Sequence, residues 1–149
     1  MKKGKIFNAQ EVQAIISGNK TQFREVIKPQ PIFETNEEYC VVETAKWLSA
    51  LLEIKLPYQV GQKIFVKENF WVNIKEIRVE RLADISEEDA IAEGIPLSVE
   101  FKDRYYTPEN NYAVPKIAFM RWWNSTHKKP EEKFEANPWV FVYSFEVVK

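Results

Sequence analysis

The sequence predicts a mixed α+β fold, a small and mostly antiparallel β-barrel flanked by short helices. Three observations predict it. Two short helical segments have marked ends, FNAQEVQAIISGNK and ISEEDAIAEGI. Several β-rich segments lie between Lys63 and Leu82, and the chain closes on NPWVFVYSFEVV, a nearly continuous run of β-formers. Strands outnumber helices, and the helices are too short for a bundle, so they are expected to cover a sheet or barrel.

Each element has a local reason. In the first helix Asn8 can cap, Glu11 three residues on completes a capping box, and Phe7 can staple to Val12. Val12, Ile15 and Ile16 share one face, and Gly18 is the natural stop. Lys20 to Ile27 then reads as extended, with Pro29 and Pro31 preventing a further helix. Tyr39 to Val42 resembles a strand, while Ala45 to Leu52 fits neither template. Gly61 marks a turn into a strand over Lys63 to Val66.

In KEIRVERL, Ile77, Val79 and Arg81 alternate with Glu76, Arg78 and Glu80, the pattern of a half-exposed strand. The second helix has Ser86 as cap, Glu87, Glu88 and Asp89 in the first turn, where the helix dipole favours anions, and Gly94 as stop. Phe101 to Lys116 is rich in Tyr, Pro and Asn and reads as a long loop or hairpin tip. Pro115 leads into a third helix, KIAFMRWWNSTH, with Phe119, Trp122 and Trp123 directed to the core. The terminal run is expected to be a central strand, because β-formers without alternation suit burial on both faces.

No linker or repeat divides the 149 residues, so a single domain over 1–149 is expected. The one cysteine, Cys40, has no internal partner for a disulfide, and no run approaches the ~20 apolar residues of a membrane span. The start, MKKGKIFNAQEV, lacks the apolar stretch of a signal peptide. These features together predict a cytoplasmic protein with no membrane partner. A net charge of −1 argues against a chain that is basic throughout, so contact with nucleic acid has to be local. Met1 to Pro31 offers a patch, with Lys2, Lys3, Lys5, Lys20, Arg24 and Lys28 against Glu11 and Glu25. The plainer reading of such a stretch is a solvated lysine-rich surface. Aromatic content of 14% with five tryptophans is high, and most of those rings are expected in the core.

The residue inventory limits the chemistry. There is no phosphate-cradling glycine motif, cysteines are not paired, and His127 is the only histidine. Zinc sites and histidine triads are therefore excluded, and no metal or cofactor is expected. His127, in the polar stretch NSTHKKPEEK, reads as an exposed surface residue. What remains is Lys20 with Thr21 just after a helix stop, and Glu93 just before Gly94. Either residue alone commonly just faces water, so they matter only if the fold brings them together.

Four blocks in order, ISGNKTQFREVIKPQP, YQVGQKIFVKENFW, ERLADISEEDAIAEGI and ANPWVFVYSFEVV, resemble phage and prophage proteins of the ASCH-domain family across nearly the whole chain. The resemblance implies a PUA-like fold with a cleft between the helix-exit segment and the barrel, of a kind associated with RNA or modified nucleosides. Some compact members are amidohydrolases that deacetylate the exocyclic amine of cytidine with a lysine, a threonine three residues on, and a glutamate. Lys20 and Glu93 line up with that lysine and glutamate. The threonine lines up with Phe23, and a phenyl ring cannot attack an acyl carbon. Thr21 lies two residues away, about 6.6 Å along an extended strand, out of hydrogen-bond reach of the same base without a bulge. Glu25, Lys67 and Phe70 also stand where relatives often carry Arg, Arg and Trp.

Three functions follow as expectations. The first is a module that binds RNA or a modified nucleoside in a basic cleft, with Lys20, Arg24, Lys28 and Lys67 on phosphate or sugar oxygens. Trp71 or a ring of the Tyr105 to Tyr112 loop would stack on a base. The second is an amidohydrolase or ribonuclease using Lys20, Thr21 and Glu93. The third is a phage-encoded protein-interaction module whose partner the sequence does not identify.

Overall fold

The computed structural model describes residues 7–28, 30, 56–67 and 70–148, with Lys67 described by its backbone alone. The segments Tyr39 to Val42 and Ala45 to Leu52 lie outside the described residues. Helix α1 spans Ala9–Ile16 and strand β1 Gln22–Val26. Strands β2, Lys63–Lys67, and β3, Phe70–Arg81, are followed by helix α2, Glu87–Ala92. Two short strands, β4 (Tyr105–Tyr106) and β5 (Tyr112–Ala113), precede helix α3, Pro115–Thr126, and the long strand β6, Trp139–Val148.

Four strands form a curled antiparallel sheet in the order β1-β6-β3-β2, while β4 and β5 pair as a separate hairpin. The α+β architecture expected from the sequence, a mostly antiparallel curled sheet flanked by short helices, is the one observed. Strand β6 is central, as its unbroken run of β-formers requires. Its alternate residues serve two apolar clusters: Trp139, Phe141, Tyr143 and Phe145 enter one, and Val140 and Val142 the other. The first cluster takes Val12 and Ile15 of α1 with Phe23, Ile77 and Val79. The second lies beneath α2 and α3, where Ala90, Ala118, Phe119 and Trp123 meet Leu82 and Ile85.

The helix ends follow the predicted chemistry. Asn8 and Glu11 form the reciprocal capping box, Glu11 N–H donating to Asn8 Oδ1 at 2.8 Å and Asn8 N–H to Glu11 Oε1 at 3.1 Å. Ser86 caps α2 by accepting from Asp89 N–H, and Pro115 occupies the first turn of α3, where no amide donor is needed.

Strand β3 departs from expectation. It starts at Phe70, and its register against β6 shifts between Ile74 and Glu76. The β-bulge inverts the parity, so Val72 and Ile74 before it and Ile77 and Val79 after it all enter the same core. The period-2 pattern that marks Lys75 to Leu82 cannot extend through that point, and so the first half of the strand was hidden.

Phe23 sits at the centre of the first cluster. Its ring stacks on Tyr143 at 4.6 Å and meets Phe7 and Tyr58 edge-on, each at 5.8 Å. Replacing Phe23 with alanine is expected to lower stability by about 3–5 kcal/mol, the range for deleting a buried aromatic ring. Urea denaturation read by tryptophan fluorescence measures it.

Candidate functional site

Lys20 and Glu93 meet where two helix exits close on one another. After α1 the chain turns through Gly18, with φ +84°, and Lys20 N–H donates to Ala14 C=O. After α2 it turns through Gly94, with φ +91°. Lys20 and Glu93 form an isolated antiparallel bridge, and Thr21 N–H donates to Ala92 C=O at 2.7 Å. Glycine at position 94 is required twice over. Its φ lies in the left-handed region, and a Cβ there would stand 2.7 Å from Lys20 Cβ and 3.1 Å from Ala14 Cβ.

The Lys20 side chain is buried, 4% exposed, and its ammonium is fully engaged. It donates to Gln22 C=O at 2.8 Å, to Glu93 C=O at 2.9 Å and to Glu93 Oε1 at 3.3 Å, with Glu11 Oε2 at 3.9 Å. An ammonium has three protons, so this geometry uses all of them. Lys20 acts as a clamp between the two helix exits.

Arg24, two pleats further along β1, is the second anchor. Its side chain has no solvent exposure. Nη1 donates to Glu93 Oε2 at 2.7 Å and Gln22 Oε1 at 3.0 Å; Nη2 donates to Glu80 Oε1 at 2.9 Å and Asp89 Oδ2 at 3.4 Å. Arg78 also pairs with Asp89 and lies 3.7 Å from Glu80. Three cations, Lys20, Arg24 and Arg78, thus interlock with three carboxylates, Glu80, Asp89 and Glu93. Burial opposes ionisation of Asp89. The hydrogen bond and charge of Arg78 outweigh it, aided by the Gln22 amide and the Arg24 charge, and hold its pKa below 3.8.

Glu93 opens onto a hollow of about 610 Å³ bordered by α1, β1 from Phe23 to its end, the exit of α2 and α3. Phe119, Trp122, Trp123 and His127 supply an aromatic side to it. The indole N–H groups are anchored, Trp122 to Tyr106 C=O and Trp123 to Glu132 C=O, both at 2.8 Å. His127 is half-buried, with its ring parallel to Trp123 at 3.7 Å and 4° between planes, and its Nδ1 lies 3.0 Å from Trp123 C=O. The polar residues around it suggested a surface position; the adjacent indole draws it in.

The structure splits the residues singled out by the sequence. Lys20, Arg24, Lys28 and Glu93 all border the hollow. Thr21 is exposed and is not among the residues bordering it. Trp71 and the backbone of Lys67 lie on β3 and β2, and in the sheet order β6 separates β3 from β1. Among the described residues the cleft is not basic either: its three cations there, Lys20, Arg24 and Lys28, are each paired, Lys28 with Glu132 at 2.8 Å, and Glu11, Glu25, Glu93 and Glu132 bring four carboxylates to the same walls. Sequence reasoning also missed Gln22, Arg78, Glu80 and Asp89. Arg78 and Glu80 alternate like surface residues, and only the approach of Arg24 across β6 reveals their role.

The fold has counterparts among solved structures. An ASCH domain from Lactobacillus crispatus JV V101 is 15% identical, with 96% of this chain and 77% of that one covered at a TM-score of 0.50. Protein EF3133 from Enterococcus faecalis V583, of family model DUF984, is 16% identical, with 99% and 80% covered at a TM-score of 0.54. No family model and no curated protein matches the sequence. The chain therefore has the fold of an ASCH domain. Among the described residues no helix is long and apolar enough to cross a membrane.

Two variants test the ion cluster. Arg24→Met leaves three neighbouring carboxylates without their shared partner and is expected to destabilise by about 3–5 kcal/mol, measured by urea unfolding at neutral pH. Asp89→Asn probes the acid limb. Because the folded pKa of Asp89 lies below its ordinary value, its contribution is present above that value and lost as pH falls through the folded one. The variant is expected to unfold at lower urea than the native chain near neutrality, with the gap closing in acid.

Proposed function

We propose that this chain is an RNA- or nucleoside-binding module of the PUA-like kind, and that the hollow beside Glu93 takes a nucleobase. The observation that carries this reading is the Glu93 carboxylate fixed between Lys20 at 3.3 Å and Arg24 at 2.7 Å, in a hollow that also presents Trp122, Trp123 and His127. Each carboxylate oxygen accepts one charged donor and retains capacity for another, so an exocyclic amine can donate to it. Aromatic sides provide stacking worth about 1–3 kcal/mol per base. Among the described residues every cation bordering the hollow is already paired, which favours a base or nucleoside over a nucleotide. The sequence resemblance to the ASCH-domain family, whose clefts are associated with RNA and modified nucleosides, supports the same ligand class.

Titration of cytidine, acetylcytidine and adenosine against the intrinsic tryptophan fluorescence tests the reading. At least one is expected to change the emission saturably, with affinity reduced roughly tenfold in Glu93→Gln, by analogy with the loss of a charge-assisted hydrogen bond. The absence of any saturable change with all three nucleosides refutes it.

Amide or RNA hydrolysis is a second reading, favoured by the contact between Lys20 and Glu93. It lacks the aligned hydroxyl, since Phe23 is core and Thr21 stands outside the hollow. Acetate release from acetylcytidine that disappears in Glu93→Gln is the outcome this reading requires.

A further inference from the structure

One wall of the hollow is main chain. Among the described residues β1 is paired on one side only, with β6. Thr21 C=O accepts from Phe145 N–H, Ile27 N–H donates to Trp139 C=O, and the register between these two pairs is unbroken. Bonded and non-bonded pairs alternate in an antiparallel ladder, so Phe23 and Glu25 exchange bonds with Tyr143 and Phe141. The main-chain groups of Gln22, Arg24 and Val26 therefore turn away from β6. The Lys20 ammonium shows the direction, since it takes Gln22 C=O on that side.

Arg24 follows Gln22 along this edge, and its backbone is what meets the hollow. The residue is 5% exposed while its side chain is 0% exposed, so the exposure it has belongs to the main chain. It borders the hollow together with Glu93, Trp122 and Trp123. Among the described residues neither Arg24 N–H nor Arg24 C=O has a hydrogen-bond partner. Main-chain groups so nearly buried are ordinarily paired, and an open donor and acceptor facing a cavity call for a partner inside it.

We infer that the main chain of Arg24 reads the base in the hollow, its N–H donating to a ring nitrogen and its C=O accepting from the exocyclic amine beside it. The inference rests on the reading of the hollow as a nucleobase site. In an extended residue N–H and C=O point to the same side, and together they present the donor and acceptor with which an Asn or Gln amide pairs bidentately with adenine. Cytosine and adenine both carry an amine next to a ring nitrogen that accepts. The side chain prepares the backbone for this task. Glu80, Asp89 and Glu93 hold the guanidinium, so the two main-chain groups are fixed before a ligand arrives. One arginine thus closes the fold with its side chain and recognises the ligand with its peptide groups.

The test follows amide hydrogen exchange of the full ¹⁵N-labelled chain by NMR, free and saturated with whichever of cytidine, acetylcytidine and adenosine binds tightest in the fluorescence titration. In the free chain Arg24 N–H is expected to exchange faster than the ladder-bonded amides of Phe23 and Glu25. On saturation it is expected to slow about tenfold, while Lys102, which does not border the hollow, keeps its rate. A second measurement needs no change to the protein. Ligands in which C–H replaces the ring nitrogen beside the amine, 3-deaza for a cytidine and 1-deaza or 7-deaza for adenosine, keep the amine and leave Arg24 N–H unpaired. At least one such ligand is expected to bind about tenfold more weakly than its parent. The inference is overturned if Arg24 is as protected as Phe23 and Glu25 without ligand, if its exchange is unchanged at saturation, or if every deaza ligand binds as tightly as its parent. Each of these results leaves a saturable nucleoside site standing, so it removes the role of Arg24 and not the reading of the hollow. Failure of all three nucleosides to bind removes both.

Discussion

A guanidinium with no access to water is the constraint on which the rest of the molecule depends. Arg24 projects from β1 across β6 towards Glu80 on β3, and the first turn and C-terminal end of α2 bring Asp89 and Glu93 to it. Removing such a charge from solvent is strongly unfavourable unless every facing oxygen is well placed. The arrangement therefore demands that β1 and the neighbouring pair β3 and α2, in which Glu80 lies 56 residues from Arg24, arrive in one relative position. Apolar packing supplies most of the driving force for collapse, while the cluster specifies how the sheet and α2 are set against each other.

Gly94 continues the same logic at the edge of the cluster. The absence of a side chain there lets α2 end in contact with Lys20, and the lysine then spans both helix exits with its three protons. Glu93 is consequently part of the closure of the fold and part of the wall of the hollow at once. Any ligand that binds its carboxylate also reports on the integrity of the closure, because binding to the folded chain alone stabilises it.

The parts of the fold legible in the sequence were those with local causes. Caps at Asn8 and Ser86, stops at Gly18 and Gly94, Pro115 at a helix start and the run of β-formers in β6 each act within a few residues. The convergence of Lys20 with Glu93 was readable only through the family resemblance, since 73 residues separate them. The ion cluster was not legible. Arg78 and Glu80 obey the alternation of a strand facing water, and nothing local distinguishes a carboxylate that meets solvent from one that meets Arg24. His127 was misread for a related reason, as its neighbours in sequence are polar while its neighbour in space is an indole.

The bulge in β3 carries a consequence for how this chain tolerates change. One supernumerary residue near Lys75 acts as a phase shifter, allowing a single strand to keep Ile74 and Ile77 on the same side of the sheet. Shortening the strand there by one position would not simply tidy the pairing. It would force either half to rotate by one pleat, exchanging Trp71 and Asn73 with Val72 and Ile74, so that the apolar interior and the aromatic exterior of the hairpin trade places.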